Sequence, residues 1–503
     1  MLYSGFFMNR REFLAASAAL AAQAPAAPNI LFAIADDQSW LHTGAAGDPI
    51  VKTPNFDRVA KAGVLCRNSF STCPGCAPSR ASILTGRSIW QLEEAGTHAS
   101  YFPRKFTVFP DLLRAAGYYT GLTGKGAGPT NFKDAGWPHN PAGPAFDERK
   151  AAKGVLDVHA DDYAANFDEF LKQRPKEKPF FFWFGSHEPH RPYRAGSGAA
   201  AGKDAAKVTV PAFLPDTPEV RSDILDYYEE IEYFDRQLGR MIASVEKAGE
   251  LANTLIVVCA DNGMAFPRAK ANLYEYGIHL PTAIAWPRSI PPGRAIDDLI
   301  SFRDFAPTFL EAAGLPPHAA MSGRSLLTAL KSNKSGQVDP ARTAITAGRE
   351  RHSHARRDNL GYPCRALRTL RYLYIRNFAP ELWPAGDPPF FADIDNGTSK
   401  TAVVSRKDRF HELSLGKRPA EEFFDITVDP ACLQNLAAIP AHKTAFETHR
   451  RQLETILKAE SDPRILGTGA IFDSYPRHSP MRPGLGGFAE QGKYNPAFTP
   501  KTR

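Results

Sequence analysis

Three uninterrupted apolar runs, each ending in polar residues, organise the first half of the chain. "NILFAIADDQ" closes on Asp36 and Asp37, "PFFFWFGSHEPH" on His187 and His190, and "NTLIVVCADNG" on Asp261 and Asn262. Continuous rather than alternating apolarity suits strands buried on both faces, as in a parallel sheet covered by helices. Helical spacing fills the intervals, in "DDYAANFDEFLKQ" and in "SDILDYYEEIEYFDRQLGRMIASVEKAG", which closes at Gly249. Strands alternating with helices predict an α/β fold with a large, mostly parallel sheet. In such sheets ligand sites form at the carboxyl ends of strands, where these polar groups fall.

After about residue 340 the pattern changes. "RALRTLRYLYIRNF" alternates basic and apolar residues and predicts antiparallel strands with one solvated face. "EEFFDITVDPACLQNLA" predicts a strand, an Asp-Pro turn and a short helix, and a longer helix follows over about residues 442–459. The expected organisation is an N-terminal signal over 1–28, a catalytic α/β unit over 29–340, a smaller α+β subdomain over 341–466, and a Gly- and Pro-rich tail over 467–503 that drapes over the surface.

Composition narrows the class. Over 503 residues the chain is 43% apolar and 23% charged, ordinary values for a folded protein. A net charge of +7 accommodates an anionic substrate, but no basic run or base-reading motif points to nucleic acid. "NRREFLAASAALAAQA" places Arg10 and Arg11 before a mildly apolar stretch that ends in Ala22-Gln23-Ala24, the order of a twin-arginine export signal. No later stretch approaches the roughly 20 apolar residues that span a bilayer. The mature protein is therefore expected to be exported, periplasmic or extracellular, with the twin-arginine machinery as a partner. Six scattered cysteines do not make a disulfide scaffold.

Asp36, Asp37, Asp261 and Asn262 form an all-oxygen set at two strand ends, the chemistry of a Ca²⁺ or Mg²⁺ site. Either pair alone reads better as an ordinary strand-to-loop turn. "STCPGCAPSRASILTGR" holds Cys73 and Cys76 in a C-x-x-C frame, with helical spacing after Cys76 up to Gly86. Cys76 would then sit at a helix N-terminus beside Arg80 and Arg87. Such an electropositive place acidifies a thiol and equally suits a bound sulfate or phosphate.

Cys76-Ala77-Pro78-Ser79-Arg80 followed by Leu84-Thr85-Gly86-Arg87 resembles the complete signature of the type I sulfatases, C-x-P-S-R-x-x-x-L-T-G-R. "NILFAIADDQ", "KTPNFDRVAKAG", "PFFFWFGSHEPHRPY", "DNGMAF" and "RYLYIRNF" are similar to the family's other blocks in the family's order, over roughly residues 29–437. "DNGMAFPRAKANLYEYG" and "SHEPHR" look most like the N-sulfoglucosamine sulfohydrolase branch. The resemblance implies an alkaline-phosphatase-like fold and hydrolysis of sulfate from a carbohydrate. It implies that a formylglycine-generating enzyme converts Cys76 to formylglycine, whose hydrate attacks sulfur through one hydroxyl. Collapse of the resulting sulfate ester then expels sulfate, a step that a thiol cannot perform. It also implies that Asp36, Asp37, Asp261 and Asn262 hold Ca²⁺ together with residue 76. Arg80 would orient the hydrate, Lys125 and Lys270 would grip sulfate oxygens, and His187 would contact the sulfate or protonate the leaving group.

Each role has a plainer rival: Lys125 as a loop lysine, Arg268 in place of Lys270, His190 as a loop brace. In "GRERHSHARRDN", His352, His354 and Arg356 are expected either to bind the sugar or to form a solvated basic loop. The chain departs from the family at Ala127, where a histidine is frequent, which leaves the base open, with His42 one substitute. Two further readings remain at this point: a phosphonate or phosphate ester hydrolase of the same superfold, and a sulfated-glycan binder without turnover. Cys73 is expected to be a bystander.

Overall fold

The structure, a computed structural model, describes residues 27–151, 157–479, 482 and 485. The expected export signal falls almost entirely on residues 1–26 and lies outside the described residues, as does the end of the tail.

Seven strands form the large sheet: β1 Asn29–Ala35, β2 Val64–Phe70, β3 Tyr119–Gly124, β4 Phe180–Gly185, β5 Thr254–Ala260, β6 Thr282–Ala285 and β7 Arg294–Ser301, in the spatial order β3-β4-β1-β5-β6-β2-β7. All neighbours are parallel except β6, which runs antiparallel to β5 and β2. The three apolar runs are β1, β4 and β5, every residue of which is buried. Ile30, Phe32 and Ile34 pack on one face against Leu84, Phe109, Phe305 and Phe309. Leu31, Ala33 and Ala35 pack on the other against Phe167, Phe170, Leu238 and Met241. Helices on both faces are why these strands carry no polar alternation. The helical patterns form Tyr163–Gln173 and the 30-residue helix Pro218–Lys247.

A second, four-stranded antiparallel sheet is built from β8 Ala344–Arg349, β9 Cys364–Thr369, β10 Tyr372–Asn377 and β11 Glu421–Asp425, in the order β11-β10-β9-β8. Its expected solvated face does not exist. Leu367, Tyr374 and Phe423 pack under Leu453 and Leu457 of the helix Lys443–Ala459 and under Phe472 and Tyr475. Two of the basic positions are therefore buried and paired, Arg365 with Asp462 and Glu350 and Arg368 with Glu275, while Arg371 is exposed and Arg376 half-buried. Alternation of charge and apolarity here marks an ion-paired interior layer rather than water. Two smaller expectations also fail. The short helix expected directly after the Asp429-Pro430 turn does not form over 431–439, and the tail does not simply drape over the surface. Residues 469–474 form a 3₁₀ turn that buries Phe472 and Tyr475, and Arg477 reaches the backbone carbonyl of His352. Phe472→Ala should cost about 3–5 kcal/mol by leaving a cavity under the second sheet. A urea-denaturation midpoint shift measures it.

Candidate active site

Register brings the polar groups together. Ala35 pairs with Ala260, Ile34 with Gly185, and Gly124 with Gly185, so the carboxyl ends of β3, β4, β1 and β5 lie nearly level. The next residues, Lys125, Ser186, Asp36 and Asp261, emerge side by side. The ends of β3 and β4 are held so close that a Cβ on Gly185 would stand 1.8 Å from the Lys125 carbonyl oxygen, and the Lys125 N–H donates to the Gly185 oxygen at 2.7 Å. Only glycine fits there.

The C-x-P-S-R segment starts the buried helix Cys76–Thr85, capped by Gly86 at φ +67°. Ser79 Oγ donates to the Asp261 carbonyl at 2.6 Å, and Arg80 Nε donates to Asp261 Oδ2 at 2.7 Å. Arg80 Nη1 also donates to the carbonyls of Lys125 and Gly126 at 2.5 and 3.3 Å. Serine and arginine at this spacing thus lock the helix N-terminus onto the ends of β5 and β3. Arg80 Nη2 is buried with no hydrogen-bond partner. A Cβ on residue 75 would lie 2.8 Å from His352 Nδ1, so any other residue there would have to displace that ring.

Carboxylate oxygens of Asp36, Asp37 and Asp261 lie within 4.8 Å of one another. Asp36 Oδ1 and Asn262 Oδ1 are buried without hydrogen-bond partners, while Asn262 Nδ2 donates to Asp37 Oδ1 at 2.7 Å. An all-oxygen set with orphaned acceptors fits a hard divalent cation, so these residues could hold a metal. Cations of the chain surround it. Lys125 Nζ contacts Asp36, and Lys270 Nζ donates to Asp37 Oδ2 at 2.7 Å and to Asp395 Oδ2 at 2.9 Å. Burial raises the Asp261 carboxyl to about 6, with Asp36 adding to the effect. Burial also acts against ionisation of Asp36, but Lys125, His190 and Arg80 outweigh it and hold that carboxyl well below its usual range.

The expected acidified thiol is not found. Burial pushes Cys76 up to about 11, because Asp36 and Asp261 oppose the help of Lys125. A thiol this weakly acidic is a poor nucleophile at neutral pH. None of the six cysteines forms a disulfide. Cys73 lies in the apolar cluster with Trp90 and Tyr374, whereas Cys76 lines the pocket.

The other expected residues separate into two groups. His187 lines the pocket, its ring stacked on His159 at 4.0 Å between centroids. Burial, then Lys125, pushes its imidazole down to about 3, so it is neutral. His190 Nε2 stands 3.8 Å from Asp37 Oδ2, while its Nδ1 lies 2.7 Å from the Arg191 carbonyl. Arg268 points away, donating to the Leu413 carbonyl and contacting that of Cys432, so Lys270 is the cation at the carboxylates. His352 is buried against His98, ring centroids 4.7 Å apart. His354 and Arg356 do not reach the pocket. His354 Nδ1 accepts from the Arg482 N–H at 2.6 Å, and Arg356 is paired with Asp393 at 2.7 Å and with two backbone carbonyls. The "RHSHAR" stretch is thus neither solvated nor, beyond His352, beside the site: it is packed under the tail and the Asp393 loop.

Sequence reasoning missed His98 and Asp395. His98 lines the pocket with Cys76, and burial, then His352 and Arg477, push its imidazole well below the ordinary value. It is a neutral imidazole whose surroundings disfavour its protonation. His42 is elsewhere, beside Asp48 and the Tyr228 hydroxyl. Neither "GTHAS" nor "ADIDNG" carries a motif, and only spatial neighbours distinguish them.

With this geometry in place, the comparisons define the class. The sulfatase family model matches residues 28–315, more than half of the chain, and the chain belongs to the sulfatase family, hydrolases of sulfuric esters. Within it, residues 268–378 match the model described as "N-sulphoglucosamine sulphohydrolase, C-terminal". An ulvan-active sulfatase of Formosa agariphila is 29% identical, over 87% of this chain and 76% of its own. The human N-sulphoglucosamine sulphohydrolase is 27% identical, over 88% of this chain and 93% of its own. Two solved structures each superpose with a TM-score of 0.64. One, in complex with D-glucosamine-2-N,6-O-disulfate, is 21% identical and covers 86% of this chain and 98% of its own. The other, a phosphonate monoester hydrolase of Silicibacter pomeroyi, is 19% identical and covers 87% and 96%. No helix among the described residues is long and apolar enough to cross a membrane.

Proposed function

We propose that this protein removes sulfate, as an N-sulfate or O-sulfate, from an amino-sugar-containing glycan, after export to the periplasm or beyond. The observation that carries this reading is the Cys76 helix start, locked by Ser79 and Arg80 onto Asp261 amid carboxylates and lysines at four strand ends. The match of residues 268–378 to the N-sulphoglucosamine sulphohydrolase model supports the sugar. Formylglycine at position 76 would supply the attacking hydroxyl, and Ca²⁺ held by Asp36, Asp37, Asp261 and Asn262 would offset charge on the sulfuryl oxygens. Arg80 fixes the geometry of residue 76 through its free Nη2, while Lys125 and Lys270 meet sulfate oxygens. His187, neutral at working pH, hydrogen-bonds the leaving group.

The fold shared with the phosphonate monoester hydrolase keeps a second reading open, hydrolysis of a phosphonate or phosphate ester. Mass spectrometry of the peptide spanning residues 71–80 and sulfate release from N-sulfoglucosamine and glucosamine 6-O-sulfate test the first. The expected result is an aldehyde at residue 76 and sulfate release with little turnover of p-nitrophenyl phosphate or a phosphonate monoester. An unmodified cysteine in active protein, or preference for the phosphorus esters, would overturn it.

A further inference from the structure

We propose that Glu230 is a sugar-recognition residue, holding a hydroxyl or amine of the substrate's sugar. The inference rests on the sulfated-carbohydrate reading above. The pocket, about 510 Å³, is large enough for a monosaccharide, and Asp157, Glu188 and Glu230 line it along with Cys76 and Lys125. Lys125 and these acids thus line one pocket.

Among those acids, Glu188 is committed. Its Oε1 accepts from the His159 N–H at 2.7 Å, and its Oε2 accepts from the Tyr163 and Ser186 hydroxyls at 2.9 and 2.6 Å. The neighbouring cation, Arg191, is also spent, on both oxygens of Asp223 and on the Ala265 carbonyl. Glu230 is not committed. It occupies a buried position of the Pro218–Lys247 helix, between Tyr227 and Phe234, with 2% exposure, and its Oε1 has no hydrogen-bond partner. A glutamate is rarely placed in a buried helix stripe unless something satisfies it.

Burial, reinforced by Glu188 and Asp157 and only partly offset by Arg191, pushes the Glu230 carboxyl up to about 9. At neutral pH it is an uncharged acid with one O–H donor and free acceptor capacity. That chemistry matches a sugar hydroxyl or amine.

The test uses Cys76→Ala protein, which has no nucleophile at position 76, titrated calorimetrically with N-sulfoglucosamine and with glucosamine 6-O-sulfate. Adding Glu230→Ala should weaken binding at least about tenfold, whereas Glu230→Gln, which keeps a donor and an acceptor, should stay within about threefold. Thermal melting guards against misfolding. The folded carboxyl titrates above its unfolded value, so its contribution to stability is lost as pH rises from about 4.5 towards 9. The groups that set this are Glu188, Arg191, Asp157 and Asp226. Glu230→Gln should therefore melt at or above the parent at pH 8. Unchanged affinity in Glu230→Ala, or equal weakening in Glu230→Gln with a lowered melting point, overturns the inference alone. If the parent bound neither sugar, the proposed function would fall with it.

Discussion

Cys76→Ala is expected to reduce sulfate release at least about 10³-fold, to background, with the fold retained. The side chain lines the pocket at the first turn of a helix whose N-terminus is pinned by Ser79 and Arg80, so its loss leaves the surrounding geometry in place. The thiol itself, held up to about 11, has little thiolate to offer as a nucleophile. Cys73→Ser separates the two cysteines of the frame. Cys73 packs among Trp90, Leu367 and Tyr374 away from the pocket lining, so activity should stay within about twofold at the cost of some stability. Initial rates of sulfate release and a melting curve for each variant decide it. Equal losses of activity would revive a redox pair.

Arg80→Ala should be the most damaging single change to the site's architecture. Arg80 and Asp261 are fully buried, and the guanidinium also holds the Lys125 and Gly126 carbonyls. Removing one member of a buried pair leaves the other uncompensated and costs about 3–5 kcal/mol. The pH dependence has a definite sign. The Asp261 carboxyl already titrates above its ordinary value, so in metal-free protein its contribution is lost as pH rises towards about 6. Without Arg80 that carboxyl rises further, and the variant should lose more stability at pH 8 than at pH 5. Urea denaturation in EDTA at the two pH values measures this. A larger loss at pH 5 would contradict the pairing. Turnover should fall with it by about 10²–10³, because the donors that tie the helix start at residue 76 to the ends of β5 and β3 are gone.

The strands, their burial on both faces and the polar groups at their ends were legible because each is a local pattern: an unbroken apolar run followed by a turn of charged residues. The C-x-P-S-R start of the helix at Cys76 was legible for the same reason, since its serine and arginine act within one turn of the cysteine. The second sheet was only half legible. Arg365 and Arg368 alternate with apolar residues as a surface strand would, and their partners Asp462, Glu350 and Glu275 come from three separate segments.

By itself the sequence determined that this is an α/β protein whose carboxylates and Cys76 gather at strand ends, and which family signature it carries. Only the tertiary structure decided that Lys270 and not Arg268 meets Asp37, that His98 and His352 face each other beside the pocket, and that His354 and Arg356 are structural. It also decided that burial overrides the positive surroundings of Cys76, and that Glu230 reaches the pocket from a helix interior. The physical reason is common to all of these. Desolvation and charge pairing depend on groups distant along the chain, and a one-dimensional pattern carries no term for them.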